Sequence, residues 1–466
     1  MASLSYEEGA HLLRRAGFGG SPQEIDDLSS RGREGAVDFL INFNQIDNTA
    51  MQNLLAASFD FSTQDGITNG EIRRWWFTRM VATKRQFEEK MTLFWHNHFA
   101  TSSSKVQDFL MYNQNLLLRQ LVLDRFDNLL LKVSQDAAML IWLDTITNVL
   151  GRANENFGRE LQELFTMGIN DVVTGEQNYT EQDVKEVARA FTGWDYVRRA
   201  PFAFQLKNNQ HDNGAKTIYG VTNNYSGEDV ITIISARPAT ARYLTWKLFN
   251  FFVYPVTNSS ADKATIDKFS KVYLNNNHSI KELVRAIFTS DEFFSERAFF
   301  SLIKQPAELV VGAVRMLGGT YNAGTNARGS NTLSQLSRNM GQDLFGPPDV
   351  AGWDANLAWV NTASMLDRFN FANTYLSNRN TTNPGVFVTN DQLKSITKPS
   401  SKKTVKRFLS RLGPLSVGEA LGTLRTYLET GDNGQPVAYV NDDATVDKKI
   451  RGLVHQIMCL PEFQLN

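Results

Sequence analysis

The stretch QFEEKMTLFWHNHF, residues 86–99, has the apolar pattern on which the prediction of the fold is based. Its large apolar residues and one histidine are four, three, one and three positions apart, in the order Phe87, Met91, Phe94, Trp95 and His98. Such spacing places the side chains on one face of an α-helix. We therefore predict a helix whose apolar face, with His98 on it, turns toward a protein core.

The same helical period recurs outward from this stretch, and strand signals are few. Ser or Thr precedes an acidic residue by three positions at Ser21–Glu24 and Thr180–Asp183, a pattern typical of helix starts. Residues 202–206 and 386–388 are candidates for short strands. Residues 196–227 are polar and rich in Gly and Asn, which predicts a long loop of the kind that often carries function.

These patterns predict a mainly all-α fold. We expect a large orthogonal bundle of many helices with long loops and at most a short β-ribbon. Residues 1–375 are predicted to form the main helical domain, and residues 376–466 a smaller C-terminal helical extension packed on it.

Composition excludes several classes of protein. With 48 Lys and Arg against 49 Asp and Glu, the net charge is -1, which gives no electrostatic footprint for nucleic acid. Cys459 is the only cysteine, so an intramolecular disulfide and a multi-thiolate metal site are both excluded. We predict no transmembrane segment, because no apolar run approaches the roughly 18–20 residues that span a bilayer.

Two histidines in the first stretch are candidates for a site. A buried imidazole needs a hydrogen-bond partner, and its charge state can be tuned, so His98 is a candidate catalytic residue. His96 is a candidate for substrate binding, although residues two apart on a helix do not face each other and chelate a metal poorly together. The alternative is that His98 is a core histidine with its hydrogen bonds satisfied.

A second group of candidates lies in residues 154–165. At 100° per residue, Glu160 falls at the margin of an apolar stripe, and Glu163 and Asn156 fall on the same flank. A half-buried carboxylate can have a raised pKa suited to acid–base chemistry, so Glu160 and Glu163 are predicted to be catalytic and Asn156 to bind substrate. The alternative is that Glu160 pairs with a buried arginine or caps a neighbouring helix.

A third group consists of His211, Asp212 and Lys216 in the polar loop and of two tryptophans after glycines. His211 and Asp212 can orient a reactive group, and Lys216 can hold an anion, or the three can form a hydrogen-bonded knot that fixes the loop. Trp194 and Trp353 are candidates for substrate binding because indole rings stack on sugars and apolar ligands. Trp353 ends the rigid turn at residues 346–353, which can also shape a pocket rim.

Several signatures of known enzymes are absent from the sequence. There is no Walker phosphate loop, no Rossmann glycine motif after a strand, no His-Glu-x-x-His and no Gly-x-Ser-x-Gly. No cofactor and no metal can be assigned from these residues.

Motifs over residues 5–370 resemble, in one consistent order, the bacterial family catalogued as domain of unknown function 1800. The motifs are LLRRAGFG (12–19), KMTLFWHNHF (90–99), ENFGRELQEL (155–164), YTEQDV (179–184), AFTGW (190–194), His211-Asp212 with Lys216, MGQ (340–342), PPDVAGW (347–353) and LDR (366–368). The resemblance implies a large helical protein, commonly exported and often encoded beside a sulfatase- or phosphatase-like partner. Many relatives have a histidine where this chain has Phe165-Thr166, so no metal role is carried over to that position.

Three functions follow as hypotheses. The first is a hydrolase acting on a surface polysaccharide or similar polar polymer, with Glu160 as general acid or base, His98 as its partner and His211 and Asp212 completing the cleft. The second is a non-enzymatic scaffold or binding partner of a sulfatase- or phosphatase-like protein. The third is a metal-dependent enzyme using His96 or His98, His211 and a carboxylate. The location is left open: as written, the chain shows no signal peptide and would be cytoplasmic, or the sequence lacks an export signal that relatives commonly have.

Overall fold

A computed structural model of the chain describes residues 3–322, 332–378, 385–413 and 418–466, and these are mainly α-helical. The helices of the first half are α1 (Tyr6–Arg15), α2 (Pro22–Ser29), α3 (Gly32–Ile41), α4 (Thr49–Ser58), α5 (Asn69–Ala82), α6 (Gln86–His98), α7 (Asp108–Gln120), α8 (Phe126–Ser134), α9 (Ala137–Trp142), α10 (Asn156–Glu163), α11 (Glu181–Ala190) and α12 (Gly227–Ser235).

The second half continues in the same way. Its helices are α13 (Pro238–Phe252), α14 (Ser260–Asn275), α15 (Ile280–Phe288), α16 (Pro306–Leu317), α17 (Leu333–Asn339), α18 (Thr362–Ser377), α19 (Asn390–Ile396), α20 (Ser401–Leu412), α21 (Gly418–Leu428), α22 (Asp443–Thr445) and α23 (Arg451–Met458). A π-helical turn at Val446–Ile450 joins the last two. The predicted all-α class is therefore confirmed.

The strands form three antiparallel ribbons of two strands each in the described residues. They pair β1 (Trp194–Tyr196) with β2 (Phe204–Leu206), β3 (Lys216–Ile218) with β4 (Val221–Asn223), and β5 (Thr320–Asn322) with β6 (Gly385–Phe387). The predicted strands at 202–206 and 386–388 overlap β2 and β6. The predicted loop at 196–227 also contains the β3–β4 hairpin. Its turn uses Tyr219 and Gly220, both at positive φ, the geometry that joins two strands tightly.

Helix α6 lies at the centre of the core. Every residue of α6 except Asn97 is buried, so the helix is enclosed on all sides and not on one apolar face alone. Enclosure requires its charged side chains to find partners. Glu89 pairs with Arg79 and Arg119, while Lys90 pairs with Glu308 and donates a hydrogen bond to a backbone carbonyl.

Capping chemistry sets the starts of the helices, as the sequence predicts. Ser21 accepts a hydrogen bond from the backbone N–H of Glu24, whose carboxylate accepts from the N–H of Ser21 in return. Thr180 and Asp183 form the same reciprocal pair at the start of α11. Two otherwise unpaired N–H groups are satisfied at each start.

The C-terminal segment contacts the rest of the chain through polar groups. Arg368 donates to Gln464 at 3.2 Å, and Lys304 donates to the backbone carbonyl of Phe463. The domain division near residue 375 stays a prediction. In the described ranges, no helix combines the length and the apolar character needed to span a bilayer.

Candidate functional site

A cleft of about 290 Å³ opens between the C-terminal halves of α6 and α13 and residues 351–359. Its volume is near the lower end of the roughly 300–1,000 Å³ usual for small-ligand sites. The rings that line it are Phe94, Trp246, Phe251, Trp353 and Trp359. Its polar lining residues are Asn97, His98, Lys247, Asn250, Gln305 and Asp354. An aromatic wall with a few polar groups is typical of a ligand site.

His98 enters the cleft from the last turn of α6. Its Nε2 lies 3.0 Å from the carbonyl oxygen of Phe165, which can only accept, so Nε2 carries the proton. Nδ1 is then an acceptor, and it has no hydrogen-bond partner among the residues that the structure describes. Burial, aided by the charge of Lys247, lowers the pKa of His98 to about 3, so the ring is neutral at physiological pH.

Helix α13 forms the second wall. Trp246, Lys247, Asn250 and Phe251 recur at helical spacing, so they share the face that lines the cleft. Asn250 is held in place, because its amide donates to the carbonyl of Trp246 at 2.8 Å and its Oδ1 accepts from the N–H of Val256 at 3.0 Å. These two hydrogen bonds fix the orientation of the Asn250 side chain in the cleft.

Lys247 differs from its neighbours because no carboxylate of the described residues forms an ion pair with it. Its Nζ lies 5.5 Å from the ring centre of Tyr243 and 6.0 Å from that of Trp246. Burial lowers the pKa of Lys247, and the charge of Asp354 opposes this effect without forming an ion pair. The cleft therefore contains an amine that no protein group binds among the described residues.

The third wall is the turn that ends at Trp353, and Asn97 fixes it to α6. The Asn97 Oδ1 accepts from the N–H of Trp353 at 2.7 Å, and its amide donates to the carbonyl of Trp353 at 3.2 Å. Gly352 has φ +85° and lies against Asn97 so closely that a Cβ would be 2.6 Å from the Asn97 carbonyl oxygen. Only glycine fits at this position.

Trp359 closes the cleft beside Trp353. It ends the short 3-10 helix Asn356–Trp359, and both tryptophans are buried. The indole Nε1 of Trp359 is a buried donor that has no hydrogen-bond partner in the described part of the chain. A buried donor left unpaired costs free energy, which a ligand can recover.

The other predicted residues lie elsewhere. His96 is buried against Trp76, Phe345 and Trp353, and its Nε2 accepts from the N–H of Phe345 at 3.0 Å. Burial lowers the pKa of His96 to about 3. Its ring therefore supports the wall from behind without lining the cleft.

The predicted acidic edge lies on α10, outside the lining of the cleft. Burial, then the charge of Glu163, raises the pKa of the half-buried Glu160. Glu163 accepts a hydrogen bond from the Tyr179 hydroxyl at 3.2 Å, and Asn156 is exposed. The carbonyl that binds His98 belongs to Phe165, two residues after Glu163.

The loop residues form a hydrogen-bonded knot of their own. The His211 Nδ1 donates to the carbonyl of Thr192 at 2.8 Å. Asp212 pairs with Arg189, whose hydrogen bonds lower the pKa of that carboxyl. The buried Lys216 donates to the carbonyl of Asp212 at 2.7 Å. The structure does not bring this knot to the cleft lined by His98.

Trp194 is 1% exposed and packs its ring on Phe191 and Phe204 in the core. Of the predicted site residues, His98 and Trp353 thus meet in one cleft, and the rest do not line it. Their assigned roles stay predictions.

Comparison with known proteins identifies the family. The sequence profile described as "Protein of unknown function (DUF1800)" matches residues 11–465, nearly the whole chain. The chain belongs to the DUF1800 family. No curated protein and no solved structure matches it.

The arrangement of this DUF1800 protein gives no support to the metal-dependent hypothesis. Within the described ranges, no three side chains of His, Cys, Asp or Glu lie close enough together to hold a metal ion. His96 and His98 use their Nε2 atoms for protein hydrogen bonds, and His211 lies in the loop knot.

Several residues that line the cleft of the DUF1800 protein are not among the predicted site residues. Lys247 and Asn250 interrupt an otherwise apolar helical face at Trp246 and Phe251, and that interruption is the signal that could have singled them out. Asn97 lies between the two histidines already noted. Trp359 had no sequence signal beyond its nearness to the turn at Trp353.

Proposed function

We propose that the protein binds a saccharide in the cleft between α6, α13 and residues 351–359. The observation that carries the proposal is the pair of unpartnered groups among aromatic rings: the acceptor Nδ1 of His98 and the donor Nε1 of Trp359. A sugar hydroxyl both donates and accepts hydrogen bonds, so one type of ligand group suits both atoms.

The aromatic lining supports the same class of ligand. Sugar rings present apolar C–H faces, and indole rings offer a matching flat surface with a polar edge. Trp246 is only half-buried, so part of its ring is accessible to a ligand. Trp353 and Trp359 line the same cleft. The small volume suits one end of a chain, with the remaining units outside the cleft.

The lining supports binding more strongly than hydrolysis. Glycosidases commonly use two carboxyl groups that flank the scissile bond. Asp354 is the one carboxylate among the residues that line the cleft, and Glu160 and Glu163 lie outside it. Our proposal is therefore a saccharide-binding protein, and hydrolysis through Glu160 stays a hypothesis.

Replacement of Trp359 by phenylalanine is expected to weaken saccharide binding by roughly three- to tenfold, the value of one hydrogen bond. An aromatic ring is retained, but the N–H donor and the pyrrole half of the indole are removed. Stability should fall only slightly, because the smaller ring leaves a cavity at this buried position, while an unpaired buried donor is removed. Isothermal titration calorimetry with oligosaccharides selected from a panel of neutral and acidic glycans measures the change.

The chain offers a matched control at Trp142, whose indole N–H is also buried and unpaired but lies outside the cleft. Trp142→Phe should leave the affinity unchanged. Equal effects of Trp142→Phe and Trp359→Phe on binding would contradict the placement of the site. Absence of binding to any glycan of the panel would contradict the function.

Exposed apolar residues next to the cleft favour a second candidate, a docking partner. Leu357 is 79% and Leu366 is 59% exposed, just after the turn at Trp353. We propose, as the alternative, that this rim binds a sulfatase- or phosphatase-like protein. Size-exclusion chromatography of the two purified proteins should then show a complex that Leu357→Ser weakens, and independent elution would count against it.

A further inference from the structure

We infer that the saccharide bound in the cleft carries an anionic group, a carboxylate or a sulfate ester, which binds Lys247. This inference rests on the saccharide-binding function proposed above and adds the chemical class of the ligand. It starts from an observation that neither the rings nor the unpaired hydrogen-bonding atoms explain: within the described ranges, no acidic group forms an ion pair with this cation of the cleft lining.

The surroundings of Lys247 are aromatic. Its Nζ lies 5.5 Å from the centre of the Tyr243 ring and 6.0 Å from that of Trp246, and the residue itself is half-buried. Cation–π contacts of this kind hold the ammonium in place but do not replace the hydrogen bonds that water gave it. Up to three N–H donors of Lys247 therefore stay available for a ligand.

Other charges around Lys247 do not neutralise it. Asp354 is the one acidic residue of the lining, it is exposed, and no ion pair within 4 Å joins it to Lys247. The neighbouring His98 is neutral at physiological pH. One anionic group of a ligand close to Nζ would therefore neutralise the charge of Lys247.

Burial makes this arrangement selective. An ammonium that has lost part of its water and gained no counter-charge is destabilised, so a ligand anion recovers free energy that a neutral group cannot. Hydrogen bonds to charged groups are also stronger than those between neutral groups. A bound neutral sugar would cover Lys247 without supplying a counter-charge. The site should therefore discriminate against neutral sugars.

Matched ligands provide the test. Oligogalacturonate and its methyl ester share one sugar chain and differ in the charge of the carboxyl groups. A sulfated oligosaccharide and its desulfated form make the same comparison for sulfate, so the two pairs separate the two anions. Affinities are measured by isothermal titration calorimetry at two salt concentrations, since an ionic contact weakens as salt rises.

Variants assign the preference to one residue. In at least one of the two ligand pairs, the wild-type protein should bind the charged oligosaccharide about tenfold more tightly than its neutral form. Lys247→Met should remove that preference while neutral binding persists, and Lys247→Arg should retain most of it. Lys247→Gln repeats the test with a polar side chain in case the methionine variant does not fold.

Lys406→Met is the control, because Lys402, Lys403 and Lys406 form an exposed basic face on α20 that an acidic polymer can also contact. Loss of the preference in Lys406→Met and not in Lys247→Met would overturn the inference. Equal affinity of the wild type for charged and neutral forms would also overturn it and leave saccharide binding intact. Absence of all saccharide binding would instead overturn the proposed function and the inference with it.

Discussion

Replacement of Glu89 by glutamine is expected to lower the free energy of unfolding by about 3–5 kcal/mol. Glu89 is 0% exposed, and its carboxylate accepts from Arg119 at 2.8 and 2.9 Å, from Arg79, and from the indole N–H of Trp76 at 2.8 Å. Glutamine has nearly the same shape, but it leaves the buried Arg119 without its ion-pair partner and Arg79 with only the longer contact to Glu88. Urea denaturation followed by circular dichroism at pH 7 measures the loss.

The neighbouring Glu88 provides the control. It is also buried, but its carboxylate has one long contact, 3.4 Å from Arg79. Glu88→Gln should therefore cost less than about 1 kcal/mol. Similar losses in Glu88→Gln and Glu89→Gln would show that charge on α6, and not the specific cluster, stabilises the core.

The same carboxylate should make stability depend on pH. Burial alone would raise the pKa of Glu89, but the charges of Arg119 and Arg79 outweigh it and hold the pKa at about 2, below the ordinary value of 4.5. Since the folded value is lower, the stabilisation is fully present above pH 4.5 and is lost as the pH falls toward 2. Denaturation of wild type and Glu89→Gln between pH 7 and 3 should show a difference that narrows at acid pH.

Gly352→Ala is expected to abolish ligand binding and to cost about 2–4 kcal/mol of stability. The new methyl group would meet both the side chain and the carbonyl of Asn97, and the backbone would be held at φ +85°. Relief requires the turn to move off α6, which breaks the two hydrogen bonds between Asn97 and Trp353. Calorimetric titration with the selected oligosaccharide and thermal unfolding measure the two effects.

Gly341→Ala is the control that separates backbone strain at positive φ from the steric clash with Asn97. Gly341 has φ +100°, but a Cβ there would meet nothing within 4 Å. This variant should cost only the backbone strain, about 1–2 kcal/mol, and keep full binding. If Gly352→Ala binds as tightly as Gly341→Ala, the turn does not form part of the site.

Much of the fold could be predicted because its causes are local. The caps at Ser21 and Thr180 involve residues three positions apart, so the sequence contains both partners. The helix at residues 86–99 was predicted nearly to its ends. Its enclosure on every side could not be, because the partners of Glu89 and Lys90 include Arg119 and Glu308, which lie far away in the sequence.

The cleft was predicted only in part for the same reason. His98 and Trp353 stood out by residue type and by their motifs, and they meet in the structure. Lys247 and Trp359 have no local signal of comparable strength. Glu160 and His211 lie in equally distinct motifs, yet neither lines the cleft, since a motif carries no information on which other motif it will contact.

The all-α class and the helix starts follow from the sequence, because hydrophobic period and capping depend on neighbouring residues. The family follows from the order of the motifs along the chain. The enclosure of α6 in the core and the meeting of His98, Lys247 and Trp359 in one cleft depend on tertiary packing. Those contacts join residues more than 100 positions apart, and long-range packing alone sets which of them become neighbours.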